Sequence, residues 1–185
     1  MVSTHSEPQA PHSLDLVIDF VNTLDMEEGT DSIGRPETLA TWLRERKLLE
    51  AGETLSESDH SNAIGLREAL RTLMLANSGE PGDDRAGREL ELAAERGELG
   101  VHFDPDGAVS LRPRAGGGDG ALARLLVPVV SALADGSWRR VKACRSPDCR
   151  WAFYDRSRNR SGVWCEMAVC GNRTKVRTYR ESARS

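Results

Sequence analysis

Four cysteines constrain the fold of this 185-residue chain more than any other feature. They lie in its last quarter as two pairs, each enclosing four residues, with fifteen residues between the pairs: Cys144 and Cys149, then Cys165 and Cys170. Four thiolates can surround one ion in a closed tetrahedral shell, for which zinc is the preferred metal. A segment this short buries little core, so metal binding would supply much of its folding free energy. The spacing therefore predicts a structural zinc site with two metal-binding turns, short strands and one helix.

The spacing leaves other uses of these thiols open. Two disulfides would also satisfy it, but the first residues do not resemble a secretory signal, so we expect a cytoplasmic location with reduced thiols. Four thiolates could hold an iron–sulfur cluster, although the basic surroundings favour zinc. A catalytic zinc is disfavoured because the region contains no histidine. Oxidative ejection of zinc is a further hypothesis, since basic neighbours favour the reactive thiolate.

Charge divides the chain into two unlike parts. Residues 136–185 contain 13 Lys and Arg against 4 Asp and Glu, whereas residues 1–135 contain 12 basic and 25 acidic side chains. The balances are +9 and −13, within a whole-chain charge of −4. An acidic body with a basic end predicts a segment that binds a polyanion, attached to a scaffold that does not.

Hydrophobic periodicity predicts a mostly helical domain over residues 13–135, after a disordered start at 1–12. The predicted helices run from Leu14 to about Leu24, Pro36 to near Gly52, Ser56 to Gly79, Asp83 to about Arg96 and Ala121 to Asp135. Pro128 is expected to kink or break the last one, which follows a flexible glycine-rich connector. Alternation on both sides of Asp104–Gly107 predicts a β-hairpin. The expected class is mainly α with a small hairpin, and no apolar run reaches the roughly 20 residues of a membrane span.

The C-terminal motif also resembles a known family. The run from Cys165 through Cys170-Gly-Asn-Arg173, preceded by Asp155-Arg-Ser-Arg-Asn-Arg160, is similar to the CGNR zinc finger. Members of that family carry the finger after a mostly helical domain named ABATE, described as a stress-induced transcription regulator, and the run Asp19–Leu24 resembles its opening helix. The resemblance implies a finger over 136–185, zinc as cofactor, DNA binding and a role in transcription. Gly162 and Val163 stand where further basic residues are expected.

Basic side chains of the predicted finger form two groups that are candidates for DNA contact. They lie in one loop and on the last helix: Arg156, Arg158 and Arg160, then Arg173, Lys175, Arg177 and Arg180. Guanidinium groups bind phosphates or pair with guanine in the major groove. The alternative is a solvated basic face without a partner.

Other functions remain as alternatives. Aromatic residues of the finger could stack on unpaired RNA bases, although packing in the finger's own core is favoured: Trp151, Phe153 and Tyr154. Polar residues of the first two helices could line a pocket for a small-molecule effector, or form only a wet face: Asp15, Asp19, Asn22 and Trp42. No enzyme motif is present, and the histidines are scattered, so we expect no catalysis: His5, His12, His60 and His102.

Overall fold

The computed structural model describes residues 12–182, which form six α-helices and three antiparallel strand pairs. The helices are α1 (His12–Val21), α2 (Pro36–Glu45), α3 (Glu57–Asn77), α4 (Asp84–Arg96), α5 (Gly117–Asp135) and α6 (Asn172–Ser182). The strands are β1 (Leu24–Asp25), β2 (Thr30–Asp31), β3 (Gly100–Phe103), β4 (Val109–Arg112), β5 (Val141–Ala143) and β6 (Ala152–Tyr154), paired in sequence order. The mainly α class with a small hairpin and a four-cysteine end is confirmed. The predicted disorder of residues 1–12 lies outside the described residues except for His12.

Capping residues set the start of the two central helices as the sequence predicts. The Ser56 hydroxyl accepts the Asp59 N–H at 3.1 Å, and the Asp59 carboxylate accepts the Ser56 N–H at 2.8 Å. This reciprocal capping box satisfies two amides that have no helical partner at the start of α3. Asp83 caps α4 by accepting the Arg85 N–H at 2.8 Å.

Two helices end earlier than predicted. α1 stops at Val21, because the chain then turns to pair Leu24–Asp25 with Thr30–Asp31. α2 ends at Glu45 rather than near Gly52, and Lys47 adopts a left-handed conformation with φ of 58° that reverses the chain. The local spacing of hydrophobic residues does not predict either of these chain reversals.

The predicted glycine-rich connector is wrong in its second half, because α5 already begins at Gly117. A Cβ on Gly118 would lie 2.5 Å from the Asp59 carboxylate, and one on Gly120 would lie 2.1 Å from the Ala115 carbonyl. These glycines therefore permit close approach at the start of a helix. α5 also continues through Pro128 without a break. By length and composition alone α5 could cross a membrane, yet half of its apolar window is buried inside the protein.

One hydrophobic core joins the helical domain to the strands of the C-terminal segment. It contains Val17 and Phe20 of α1, Leu66 and Leu70 of α3, and Leu125 of α5, all almost fully buried. The same cluster includes residues of the last strand pair and the turn before it: Trp138, Val141, Ala143 and Ala152. The β5–β6 hairpin is thus part of the main core, and the division at residue 135 stays a prediction.

Candidate metal centre and nucleic-acid interface

The four cysteine sulfurs converge at one end of the β5–β6 hairpin. Cys144 directly follows β5, Cys149 precedes β6, and Cys170 lies in a single π-helical turn, Met167–Gly171, that leads into α6. All four Sγ atoms lie within 4.8 Å of one another. The Sγ atoms of Cys149 and Cys165 are 3.6 Å apart, and those of Cys165 and Cys170 are 3.7 Å apart.

These separations fit a single tetrahedral ion. Zinc–sulfur bonds of about 2.3 Å place the sulfurs of a tetrahedron about 3.8 Å apart. A disulfide would require about 2.05 Å, and all four cysteines are free. An iron–sulfur cluster distributes its thiolates over more than one iron, whereas sulfurs this close suit one ion. These four thiols therefore suit a structural zinc ion, whose all-sulfur shell would leave no position for water.

Burial makes the zinc-free thiols poor nucleophiles. Burial, reinforced by the nearby Cys144, raises the pKa of Cys165, and burial raises the pKa of Cys170 to about 12. In the metal-free thiols loss of hydration disfavours the charged sulfurs, and oxidative ejection of zinc stays a hypothesis. A bound zinc ion would stabilise the deprotonated sulfurs.

The tetrapeptide Cys170–Arg173 has a structural role at each position. After the ligand Cys170, Gly171 is buried, and a Cβ on it would lie 3.2 Å from the Trp164 ring and closer still to the Met167 side chain. Asn172 donates a side-chain hydrogen bond to the Ala168 carbonyl at 3.1 Å, within the metal-binding turn. Arg173 forms an ion pair at 2.9 Å with Glu27 in the β1–β2 loop.

The predicted arginine loop projects from the end of β6. Arg156, Arg158 and Arg160 are exposed, and their side chains form no ion pair with any residue in 12–182. The side chains of Lys142 and Asp155 form an ion pair at the base of this loop. Each is only 3% exposed, and the Lys142 Nζ lies 2.7 Å from an Asp155 carboxylate oxygen.

The Lys142–Asp155 pair also binds the backbone of the loop. Lys142 donates to the carbonyls of Arg160 and Gly162, and Asp155 accepts the N–H groups of Ser157 and Gly162, both at 3.0 Å. Burial alone would raise the pKa of Asp155, but hydrogen bonds from Lys142 and Ser157 hold it below its usual value. A Cβ on Gly162 would lie 2.8 Å from the Asp155 carboxylate. Close approach to this carboxylate explains why Gly162 departs from the basic pattern.

Only some of the basic side chains that were predicted to contact DNA from α6 are exposed and unpaired. Lys175 and Arg180 are exposed, and Arg177 lies on the same helix with its side chain outside the described part. Arg173 is already paired with Glu27. This ion pair joins the start of α6 to the β1–β2 loop.

The three finger aromatics have different surroundings. Tyr154 packs against the main core and Phe153 is half-buried, as the core interpretation expects. Trp151 is 36% exposed and lines a small cleft with Asp25, Glu27 and three of the cysteines. Of these three rings, that of Trp151 is the most exposed, and it lies beside the cysteines.

The polar residues proposed as an effector pocket do not form one together. Asn22 donates to the Ala152 carbonyl at 2.9 Å and accepts the Ala152 N–H at 2.7 Å, so its amide is bound to β6. Trp42 is buried, with its ring centroid 5.4 Å from that of Phe20. Asp15 and Asp19 remain on the exposed face of α1.

Polar residues at the end of α3 hold the finger and were missed by sequence reasoning. Asn77 donates to the carbonyls of Trp138 and Val141, and Ser78 donates to that of Ala143 at 2.7 Å. Arg71 is buried and joins the carbonyls of Arg150 and Val21 at 2.9 and 2.7 Å. No sequence signal identifies them, because polar groups near a helix C-terminus are usually solvated.

Comparison with known families agrees with this architecture. Residues 14–136 match the model for ABATE, described as "Putative stress-induced transcription regulator", and residues 140–183 match the CGNR zinc finger. A search of curated proteins finds no significant match. Neither family description names an enzyme, and both are consistent with a regulator that acts on nucleic acid. Because the first match covers more than half of the chain, this protein belongs to the ABATE family and ends in a CGNR zinc finger.

Proposed function

We propose that this protein is a DNA-binding transcriptional regulator that contacts the phosphate backbone through its zinc finger. The observation that carries the proposal is the loop with Arg156, Arg158 and Arg160, which are exposed and lack internal ion pairs within residues 12–182. Arginines that are buried or already paired with a carboxylate cannot bind a phosphate. Exposed, unpaired guanidinium groups on a fixed loop can bind one through two parallel N–H hydrogen bonds. Exposed Lys175 and Arg180 on α6 extend the same basic segment.

The helical domain serves as the scaffold in this proposal. Its acidic balance repels DNA, so productive binding is restricted to the finger. Such a regulator acts in the cytoplasm or nucleoid, where the chromosome is accessible. No step of the proposed function requires catalysis, and the closed sulfur shell of the metal centre offers none.

DNA binding is tested by titrating zinc-loaded protein into labelled duplex DNA by fluorescence anisotropy over a series of salt concentrations. Each neutralised phosphate should contribute about 0.9 to the slope of log affinity against log salt. The matched variant replaces all three loop arginines by alanine and should bind more weakly with a smaller slope. Salt-independent binding, or equal slopes for both proteins, would contradict the proposal. Selection from genomic fragments then identifies the preferred site.

RNA binding is a second candidate, favoured by the exposed ring of Trp151. An exposed tryptophan can stack on an unpaired base, with a contribution of about 1–3 kcal/mol per base. Single-stranded RNA should then displace duplex DNA in a competition assay, and Trp151→Ala should abolish that preference. Displacement by duplex DNA alone assigns the basic segment to DNA.

Sensing by the helical domain is a third candidate, placed at a different surface from the predicted pocket. A cleft of about 750 Å³ between α3 and α4 is lined by Thr72, Leu73 and Ala76, with Asp83 and Arg88 opposite. Its lining residue Ala76 directly precedes Asn77 and Ser78, which donate hydrogen bonds to the backbone of β5 and the turn before it. A metabolite screen by thermal shift tests this candidate, and a ligand that also changes DNA affinity would support it.

A further inference from the structure

The ion pair beneath the arginine loop is unusually buried for two charged side chains. Lys142 and Asp155 are each 3% exposed and 2.7 Å apart. Removing two charges from water costs about as much free energy as their attraction returns, so such a pair is weak evidence for a gain in stability. Its hydrogen bonds show what else it does.

Nearly every remaining bond of the pair goes to the backbone of the loop. The Lys142 ammonium binds the carbonyls at positions 160 and 162, and the Asp155 carboxylate binds the amides at positions 157 and 162. Arg140 adds bonds to the carbonyls of Asp155 and Ser157. The loop is therefore closed at its base, while its arginine side chains are exposed.

A closed loop lowers the entropic cost of binding. Ordering flexible segments at an interface reduces affinity, and a preformed conformation avoids part of that loss. We propose that Lys142 and Asp155 are positioning residues for nucleic-acid binding, whose buried pair holds the loop so that its three arginines reach one phosphate backbone together. This inference rests on the proposed function and specifies how the finger achieves it.

The test uses the full-length, zinc-loaded protein with the double substitution Lys142→Met and Asp155→Asn. The substitution removes one positive and one negative charge, so the net charge of the protein is unchanged. Asn keeps an oxygen for a loop amide, whereas Met cannot bind the two carbonyls. We expect one zinc per chain as in the wild type, affinity for a mixed-sequence duplex about tenfold lower, and a smaller salt slope.

A second background separates positioning from general folding. The same double substitution is made in a protein whose three loop arginines are already alanine, which completes a thermodynamic cycle. If the pair acts through those arginines, it has no further effect on affinity there. An equal loss in both backgrounds would overturn the inference, since the pair would then act through the fold as a whole.

The remaining outcomes are also decisive. Should the double variant lose zinc, Gly162→Ala replaces it, because its Cβ would lie 2.8 Å from the Asp155 carboxylate and disturb the same closure without removing charge. Unchanged affinity and slope in the folded variants would overturn positioning while DNA binding stands. Absence of salt-dependent binding by the wild type would overturn both the proposed function and this inference.

Discussion

Two of the three strand pairs in residues 12–182, β3–β4 and β5–β6, are short hairpins of similar size, and of these two only β5–β6 is part of the core. In β3–β4, Val101, Phe103 and Val109 share one face and remain 58, 72 and 61% exposed. In β5–β6, all three residues of β5 are buried, including Lys142. Both hairpins are built from apolar, strand-like residues, so this sequence pattern does not decide which hairpin is buried.

The difference lies in what fastens each hairpin. β5–β6 is bound at one end by the cysteine cluster and along its backbone by Asn22, Asn77 and Ser78. β3–β4 has side-chain links mainly within itself, such as the pair between Arg112 and Asp104 at 3.1 Å. An isolated two-stranded hairpin is marginal in water, so external contacts determine its stability.

Of the changes predicted here, loss of the metal should have the largest effect on the stability of β5–β6. Cys170→Ser removes one ligand of the sulfur shell, and structural zinc supplies about 10–16 kcal/mol of folding free energy in small fingers. We expect loss of bound zinc and a lower melting temperature for the whole domain, because Val141 and Ala143 belong to its core. Zinc analysis and calorimetry measure both. A melting temperature equal to that of the wild type would show that the core does not depend on the finger.

Zinc affinity should fall as pH falls. Burial raises the pKa of Cys165 and Cys170, so both are protonated thiols at neutral pH without metal. Zinc binding must therefore displace at least these two protons, and acid opposes it. Chelator competition from pH 6 to 8, with calorimetry in buffers of different ionisation enthalpy, measures the proton release. Binding without proton release would contradict the assignment.

Hydrogen bonds to the backbone of β5–β6 should contribute more to the free energy of unfolding than the ion pair between Arg112 and Asp104 within β3–β4. Asn22→Ala leaves the N–H and C=O of Ala152 without their partners in a partly buried site, at a cost of about 1–3 kcal/mol in the free energy of unfolding. The matched variant, Arg112→Ala, removes an exposed ion pair of β3–β4 and should cost less than about 1 kcal/mol. Urea denaturation compares them, and a reversed order would refute the view that β5–β6 is held from outside.

The smallest expected effect concerns the contact between Glu27 and Arg173. Glu27→Gln releases Arg173 for phosphate, so duplex affinity should rise by about two- to fivefold, the range of an exposed ion pair. Glu28→Gln removes the same charge from a neighbour outside this pair and is the matched control. Equal affinity of the two variants would leave Arg173 with no measurable restraint from Glu27.

Several elements could be predicted because their causes are local. Ser56 and Asp83 begin helices through side chains that cap amides two or three residues later. Pro128 shows the limit of such rules, since α5 continues through it although proline removes a helical hydrogen bond. The end of α1 at Val21 and the helical start at Gly117 depend on contacts with distant segments, which periodicity does not encode.

By itself the sequence identified the metal site, because two cysteine pairs of equal spacing, Cys144 with Cys149 and Cys165 with Cys170, are typical of a four-thiolate zinc shell. It also determined that the basic charge lies at one end. Only the tertiary structure decided which arginine side chains are exposed and unpaired and which already form ion pairs. Arg173 meets Glu27 across 146 positions, and Asn22 meets Ala152 across 130. Contacts between residues so far apart arise from packing of the shared core, and no local pattern in the chain specifies them.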